Sequence, residues 1–309
     1  MKHKKLDIIF AVKERIKENP TDIKTFENEV KILKKLEEKI PEITISRLIT
    51  VLDDKSMGLK NKYLVLEWID GGNLYSLNVS NVNIFHLESE SDFLRMTLIL
   101  LFHLQKIHSQ NILHRDIKPG KIQNFYNFIF FISFLFFFLK IENVMWYKRD
   151  DKIYFMYIDF GVSREIGSDT FIHVARDRFF LFNFKFFFIL NFKFFNRFKP
   201  LEQNTEHESF ATDVYSLGVT LAEILKFSSI EVDDRVIQIF LWMTKKNFEE
   251  RPSIQTLIDQ FLVYCKEEKI GEEIDIFDSL EKKEDYLQPP LSDLSFSREN
   301  IIPKKKNLN

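Results

Sequence analysis

The chain has 309 residues, of which 45% are hydrophobic and 29% are charged, and its formal net charge is −2. This composition supports a sizeable folded core and excludes a fully disordered chain, while the near-zero net charge argues against a nucleic-acid-binding protein. The single cysteine, Cys265, excludes a disulfide framework and a multi-cysteine zinc site, and it favours a reducing compartment such as the cytoplasm.

Hydrophobic periodicity predicts strands and one helix early in the chain and mainly helices later. The predicted strands cover 7–13, 44–52, 61–69 and 152–158, with a turn over 70–73, and the predicted helices cover 21–39, 91–109, 212–227, 233–246 and 253–265. From Lys266 onward the sequence is charged and interrupted by proline, so we expect a tail without stable structure. The order of elements predicts an α+β protein with two lobes.

Two motifs carry most of the chemical information. The first, His114-Arg115-Asp116-Ile117-Lys118-Pro119, follows the predicted helix 91–109, and the second, Asp159-Phe160-Gly161, ends the predicted strand 152–158. In this order they resemble the catalytic loop and the metal-binding loop of eukaryotic-type protein kinases, and the lysine of the first motif is typical of the serine/threonine class. The resemblance covers roughly residues 7–265.

The resemblance implies a two-lobe protein-kinase-like fold over 1–265, followed by the tail 266–309. The N-lobe, about 1–69, is expected to be small and β-rich but incomplete, because the family's first strands are missing. The C-lobe, about 73–265, is expected to be mainly helical. The family acts on protein substrates, whereas the sequence gives no indication of oligomeric state.

Five residues correspond to the nucleotide-binding positions of this family. Lys13 matches the strand lysine that holds the α- and β-phosphates of ATP, and Glu29 matches its partner on the following helix. The backbone carbonyl of Glu67 and the backbone N–H of Ile69 match the adenine contacts. Asn73 would lie near the ribose.

Four further residues correspond to the catalytic and metal-binding positions. Asp116 would orient the substrate hydroxyl group and accept its proton, and Lys118 would neutralise the transferring phosphoryl group. Asp159 and Asn143 would hold Mg²⁺ through oxygen atoms, which this ion prefers. The resemblance therefore implies ATP and Mg²⁺ as cofactors.

The resemblance also suggests a regulatory contact and a structural contact. Arg115 would bind a phosphate on the activation loop, for which Ser168 and Thr170 are the candidate acceptors. Arg251 would pair with Glu202, which stands in the Pro-Leu-Glu sequence where the family has Ala-Pro-Glu. The family's usual Gly-Thr before this region is replaced by Ala-Arg, which weakens the assignment of the substrate class.

Two Phe-rich blocks, 120–141 and 179–197, hold 18 of the 34 phenylalanines. They could be a membrane-inserting hairpin, a hydrophobic core insert or translated non-coding sequence. The longest apolar run has about 12 residues, shorter than the roughly 20 that a membrane-spanning helix needs. Removal of the first block gives HRDIKPEN, which restores the Asp-x₄-Asn spacing of the family, and removal of the second gives RDRFKPLE. Codons at both junctions can contain GT and AG, so we hypothesise that the blocks are retained introns.

An alternative to an active kinase is a kinase-like protein that binds partners without catalysis. The chain contains no Gly-x-Gly sequence, so the family's glycine-rich phosphate loop is absent from the residues before Lys13. The first Phe-rich block also separates Asp116 from Asn143. Either the true start of the protein lies upstream, or this protein lacks the phosphate cover.

Overall fold

The computed structural model of the chain describes residues 2–3, 9–15, 20–41, 45–52, 62–69, 71–73, 87, 89–118, 143–149, 152–167, 200–228, 230–270 and 301–302. Both Phe-rich blocks lie outside the described residues, and so do Ser168, Thr170 and most of the predicted tail. A two-residue strand β1 (Lys2–His3) pairs antiparallel with β10 (Ile301–Ile302) from that tail.

The N-terminal part is a three-stranded antiparallel sheet with one helix. Strands β2 (Phe10–Arg15), β3 (Leu48–Leu52) and β4 (Lys62–Glu67) form this sheet in the order β2-β4-β3. Helix α1 (Pro20–Lys39) connects the first two strands. The apolar side chains of α1 recur at helical spacing, and Ile32, Leu33 and Leu36 are buried.

The C-terminal part is built around helix α2 (Glu90–Ser109). Its first turn is closed by a reciprocal capping box between Ser89 and Asp92. Most of its apolar side chains are buried in one core with helices α3 (Phe210–Phe227), α4 (Asp234–Met243) and α5 (Ile254–Glu267). A short 3₁₀ helix (Phe248–Glu250) precedes α5.

Short strands connect these two parts. Strands β5 (Gly71–Asn73), β7 (Val144–Arg149) and β8 (Lys152–Tyr157) form an antiparallel sheet in the order β5-β7-β8. Strands β6 (Ile112–Leu113) and β9 (Arg164–Glu165) form an antiparallel pair. The hairpin of β7 and β8 begins one residue after Asn143, and β8 ends two residues before Asp159, so this sheet positions two of the candidate metal ligands.

The predicted α+β, two-lobe architecture is confirmed by the β-rich N-terminal part and the helical C-terminal part. The prediction of a turn over 70–73 is wrong for its last three residues, which form β5. Gly71 permits this pairing because a Cβ atom there would lie 1.8 Å from the carbonyl oxygen of Trp146. The fourth helix ends at Met243, three residues earlier than predicted. Helix α5 continues to Glu267, while the domain boundary at 265 stays a prediction.

Candidate active site

The side chains of Lys13, Glu29 and Asp159 meet between the two parts of the fold. Strand β2 carries Lys13, whose Nζ lies 2.6 Å from Glu29 Oε2 on helix α1. The same Nζ lies 2.8 Å from Asp159 Oδ1, which follows strand β8. Glu29 is 2% exposed, whereas the side chains of Lys13 and Asp159 are about two-fifths exposed, at 42% and 43%. The lysine therefore joins a buried carboxylate to one that solvent can reach.

The charges of this triad depend on burial and on mutual attraction. Burial alone would lower the pKa of Lys13, but Glu29 and Asp159 reverse this effect and raise it to about 12. Burial alone would raise the pKa of Asp159, but Lys13 holds it below its usual value. Burial raises the pKa of Glu29 to about 7 although Lys13 opposes this shift. Lys13 and Asp159 are thus charged at neutral pH.

Helix α1 is tied to the segment that follows Asp159. The side-chain amide of Asn28 is buried, and its nitrogen lies 3.3, 3.1 and 2.8 Å from the backbone carbonyls of residues 160, 161 and 163. Lys35 donates to Glu165 Oε1 at 2.6 Å and to the carbonyl of Gln110 at 3.0 Å. These contacts hold α1, and with it Glu29, against the loop that carries Asp159.

The catalytic-loop motif gathers Asp116, Lys118 and Asn143. Lys118 Nζ lies 3.0 and 2.9 Å from the two carboxylate oxygens of Asp116. Asn143 Nδ2 donates to Asp116 Oδ2 at 2.6 Å and to its backbone carbonyl at 2.8 Å, although the two residues are 27 positions apart. The Asp116 and Lys118 side chains are 15% and 16% exposed. The structure thus places the Asn143 side chain beside Asp116.

Asp213 on helix α3 holds the backbone of the loop that carries Asp116. Its two carboxylate oxygens accept the backbone N–H groups of His114 and Arg115 at 2.7 and 2.8 Å, and His108 Nε2 lies at 2.9 Å. Burial would raise the pKa of Asp213, but these hydrogen bonds and the nearby histidines lower it. Sequence reasoning identified the start of this helix but missed this function. The N-cap residue of this helix is Ser209, so Asp213 lies in its first turn.

His114 is a packed core residue that supports the loop. Its ring lies against Tyr157 and Phe160, and its Nε2 lies 3.1 Å from the carbonyl oxygen of Ile158. The backbone N–H of Asp116 donates to Nδ1 at 3.4 Å. Burial lowers the pKa of this histidine, and the contacts fit a neutral ring protonated on Nε2.

The expected adenine- and ribose-binding residues follow the last strand of the N-terminal sheet. Strand β4 ends at Glu67, whose backbone N–H is bonded to the carbonyl of Arg47 at 3.0 Å. Ile69 lies just beyond the strand and is partly exposed. Asn73 lies in β5, where its backbone pairs with Met145. These positions connect the two parts of the fold, and their nucleotide contacts stay a prediction.

The predicted ion pair of Glu202 with Arg251 is present. Arg251 Nη1 contacts Glu202 Oε1, Nη2 lies 3.3 Å from Oε2, and both side chains are almost fully buried. Arg251 also donates to the carbonyl of Ala211 at 2.8 Å. The pair therefore joins the segment before α3 to the segment before α5.

Asp159 and Asn143 provide a donor set that fits Mg²⁺. The backbone carbonyl of Asn143 accepts the backbone N–H of Ile158 at 3.0 Å. Ile158 precedes Asp159, so the two candidate ligands lie on neighbouring backbone segments. The amide nitrogen of Asn143 is used on Asp116, so its amide oxygen is the atom suited to a cation. An ionised carboxylate and an amide oxygen are hard ligands, and Mg²⁺ in nucleotide sites takes its remaining ligands from phosphates and water.

The described residues contain no other metal site and no membrane-spanning helix. Within those ranges, no three histidine, cysteine, aspartate or glutamate side chains are grouped as a metal site would require. No helix in the described part of the chain combines the length and apolar character needed to cross a membrane.

Comparison with known proteins identifies the same family. A model of the protein kinase domain matches residues 1–125 and therefore ends inside the first Phe-rich block. Calcium/calmodulin-dependent protein kinase type 1 of Macrobrachium nipponense is 25% identical over 140 residues, which is 45% of this chain and 31% of that protein. The Caenorhabditis elegans protein of the same name is 26% identical over 140 residues, covering 45% of this chain and 30% of that protein.

A third relative is the DNA damage response protein kinase DUN1 of Saccharomyces cerevisiae. It is 37% identical over 99 residues, which is 32% of this chain and 18% of that protein. The matches thus span less than a third of the length of these curated relatives. Together with the two motifs and the two-lobe fold, they support the similarity of this chain to the eukaryotic-type protein kinase superfamily and to its serine/threonine members.

Proposed function

We propose that this protein is a serine/threonine protein kinase that transfers the γ-phosphoryl group of ATP to a hydroxyl group of a protein substrate, with Mg²⁺ as the metal ion. The observation that carries the proposal is the contact of the Lys13 ammonium group with both Glu29 and Asp159. A cation near the phosphates, a carboxylate that holds it and a metal-binding carboxylate are the parts that this chemistry requires.

Each residue of the site then has a defined part in the reaction. When bound, ATP with Mg²⁺ supplies the phosphoryl group and the positive charge that offsets its oxygens. Lys13 binds the α- and β-phosphates, and Glu29 fixes its direction. Asp116 orients the substrate hydroxyl group and accepts its proton on the carboxylate. Lys118, which lies within 3.0 Å of both Asp116 oxygens, neutralises charge on the transferring group.

Phosphotransfer assays on the purified full chain test the proposal. The chain is incubated with radiolabelled ATP, Mg²⁺ and a general protein substrate, and the labelled amino acids are then identified. We expect labelled serine or threonine, and we expect Asp116→Asn to lower kcat by about 10²–10⁴-fold because it removes the proton acceptor without changing the side-chain shape. Activity that is unchanged in Asp116→Asn, or labelled tyrosine alone, would contradict the assignment.

The second candidate function is a kinase-like protein that binds ATP or partners without catalysis. The 22-residue block that separates Asp116 from Asn143 in the sequence favours it. A thermal-shift titration with ATP and Mg²⁺ separates the two candidates. Stabilisation of the wild-type chain by nucleotide, lost in Lys13→Met and accompanied by no phosphotransfer, would establish the second function in place of the first.

A further inference from the structure

A buried charge cluster lies behind the catalytic loop, formed by Arg115, Arg164 and Glu208. Arg115 Nε lies 2.7 Å from Glu208 Oε1, and Arg164 Nη1 lies 3.3 Å from Glu208 Oε2. The side chains of Arg115 and Glu208 are both 0% exposed, and that of Arg164 is 23% exposed. One buried carboxylate is therefore shared by a buried guanidinium group and a partly exposed one.

Other contacts attach Arg115 to the loop after Asp159, to the segment before α3 and to α3 itself. Its Nη1 donates to the carbonyl of Val162 at 3.0 Å, and its Nη2 donates to Asn204 Oδ1 at 2.9 Å. Its backbone carbonyl accepts the Gln203 side-chain amide at 2.6 Å, while its backbone N–H is held by Asp213. The catalytic loop is thus attached to the loop after Asp159 and to the segment that precedes helix α3.

The backbone of Arg115 needs such attachments. Its φ angle is 69°, in the left-handed region that a long side chain rarely adopts. Conformations of this kind persist only where the surroundings determine them from several directions. Asp213 and Gln203 fix the two sides of the peptide backbone, and Glu208 fixes the guanidinium group. Asp116, the next residue, takes its direction from this arrangement.

We propose that Glu208 is a positioning residue that supplies a permanent negative charge to Arg115 and thereby holds the catalytic loop in its working geometry without a phosphate on Ser168 or Thr170. This inference rests on the proposed kinase function. The sequence had suggested a phosphate as the partner of Arg115, whereas the structure gives this guanidinium a carboxylate of the same chain. A phosphate that replaced this carboxylate would have to displace a buried, ion-paired glutamate.

Two kinds of experiment test the proposal on the full chain. In the first, the chain is treated with a general protein phosphatase, repurified and assayed beside the Ser168→Ala/Thr170→Ala double variant. Both are expected to keep kcat within about twofold of the untreated wild type. A tenfold or greater loss in either sample would overturn the proposal, because it would show that phosphate supplies the ordering charge.

In the second experiment, Glu208→Gln is compared with Glu206→Gln. Glu206 lies in the same segment and is 88% exposed, so its substitution removes an equal charge without a buried contact. We expect Glu208→Gln to lower kcat by about 10–100-fold with little change in KM for ATP, since small misplacements of catalytic groups have effects of this size. Glu206→Gln should behave as wild type. A wild-type kcat in Glu208→Gln would refute the positioning role.

Hydrogen exchange distinguishes failure of this proposal from failure of the kinase function. If the wild-type chain shows no phosphotransfer, the kinase function fails, but exchange of the backbone amides in 112–118 still reports on the loop. We expect slow exchange in the phosphatase-treated wild type and faster exchange in Glu208→Gln. Equal exchange in the two proteins would overturn the positioning role whether or not the chain is active.

Discussion

Deletion of residues 120–141 is expected to stabilise the protein by about 1.5 kcal/mol. Asp116 and Asn143 are in hydrogen-bond contact although 27 positions separate them, and the deletion reduces this separation to five. The entropic cost of closing a flexible loop grows as three-halves RT times the logarithm of its length. The ratio of the two lengths gives the stated difference, provided that the block adds no stabilising contacts of its own.

Urea unfolding monitored by circular dichroism measures this difference. The free energy of unfolding should rise by about 1.5 kcal/mol, and the melting temperature should rise by roughly 3–6 °C for a domain of this size. A variant in which the block is replaced by a Gly/Ser segment of the same 22 residues is the matched control. Its stability should stay close to that of the wild type, because the loop length is unchanged.

The opposite result would identify a structural role for the block. If the deletion lowers the free energy of unfolding by more than about 1 kcal/mol while the Gly/Ser replacement does the same, the Phe-rich residues bury apolar surface that the fold needs. The interpretation of this block as a core insert would then replace the interpretation as translated non-coding sequence. A phosphotransfer assay on the deletion variant adds a second measurement, since the shortened loop should keep or raise kcat.

Three further predictions concern the anchor of the catalytic loop, the buried histidine of α2 and the transcript. Asp213→Asn should cost about 3–5 kcal/mol in urea unfolding, because two backbone N–H groups lose a charged acceptor. The exposed Asp234→Asn should stay within about 0.5 kcal/mol of wild type, and equal effects of the two changes would contradict the anchoring role. Burial lowers the pKa of His103 to about 4, so the stability that it contributes is present above pH 6.5 and is lost as the pH falls towards 4. In His103→Gln the stability difference between pH 7 and pH 4 should shrink by about 3 kcal/mol, and an unchanged pH dependence would disprove this account. The mature transcript should lack the bases for 120–141 and 179–197, and its sequencing would reject the retained-intron hypothesis if both are present.

The long elements of the fold could be predicted from the sequence because their periodic signal extends over many residues. Helices α1 and α2 begin within one residue of the predicted positions and end at the predicted ones. The two-residue strands β6 and β9 carry no such signal. Each forms only because its partner, about fifty residues away in sequence, is brought beside it by the packing of larger elements. Strand β7 was also not predicted, although it is six residues long.

Residues of the site could be predicted where a motif fixes both residue type and order. Lys13, Glu29 and Asp159 were assigned separately, and the structure places the Lys13 Nζ atom within 2.8 Å of a carboxylate oxygen of each of the other two. Glu208 was missed because it lies in the polar stretch 202–209, which resembles an exposed loop. Its complete burial follows from two arginines in other segments, and no local pattern in the sequence reveals that contact.

The catalytic geometry around Asp116 depends on anchors that lie outside the first Phe-rich block. On one side, Asp213 fixes the backbone N–H groups of His114 and Arg115 to helix α3. On the other side, the Asn143 carbonyl is bonded to Ile158 at the end of the β7–β8 hairpin. Because the described residues before and after the block are each held by their own part of the fold, Asp116 and Asn143 are in contact although the block separates them in sequence. The block therefore costs loop-closure free energy without separating Asn143 from Asp116, and the site proposed for phosphotransfer stays assembled in the full chain.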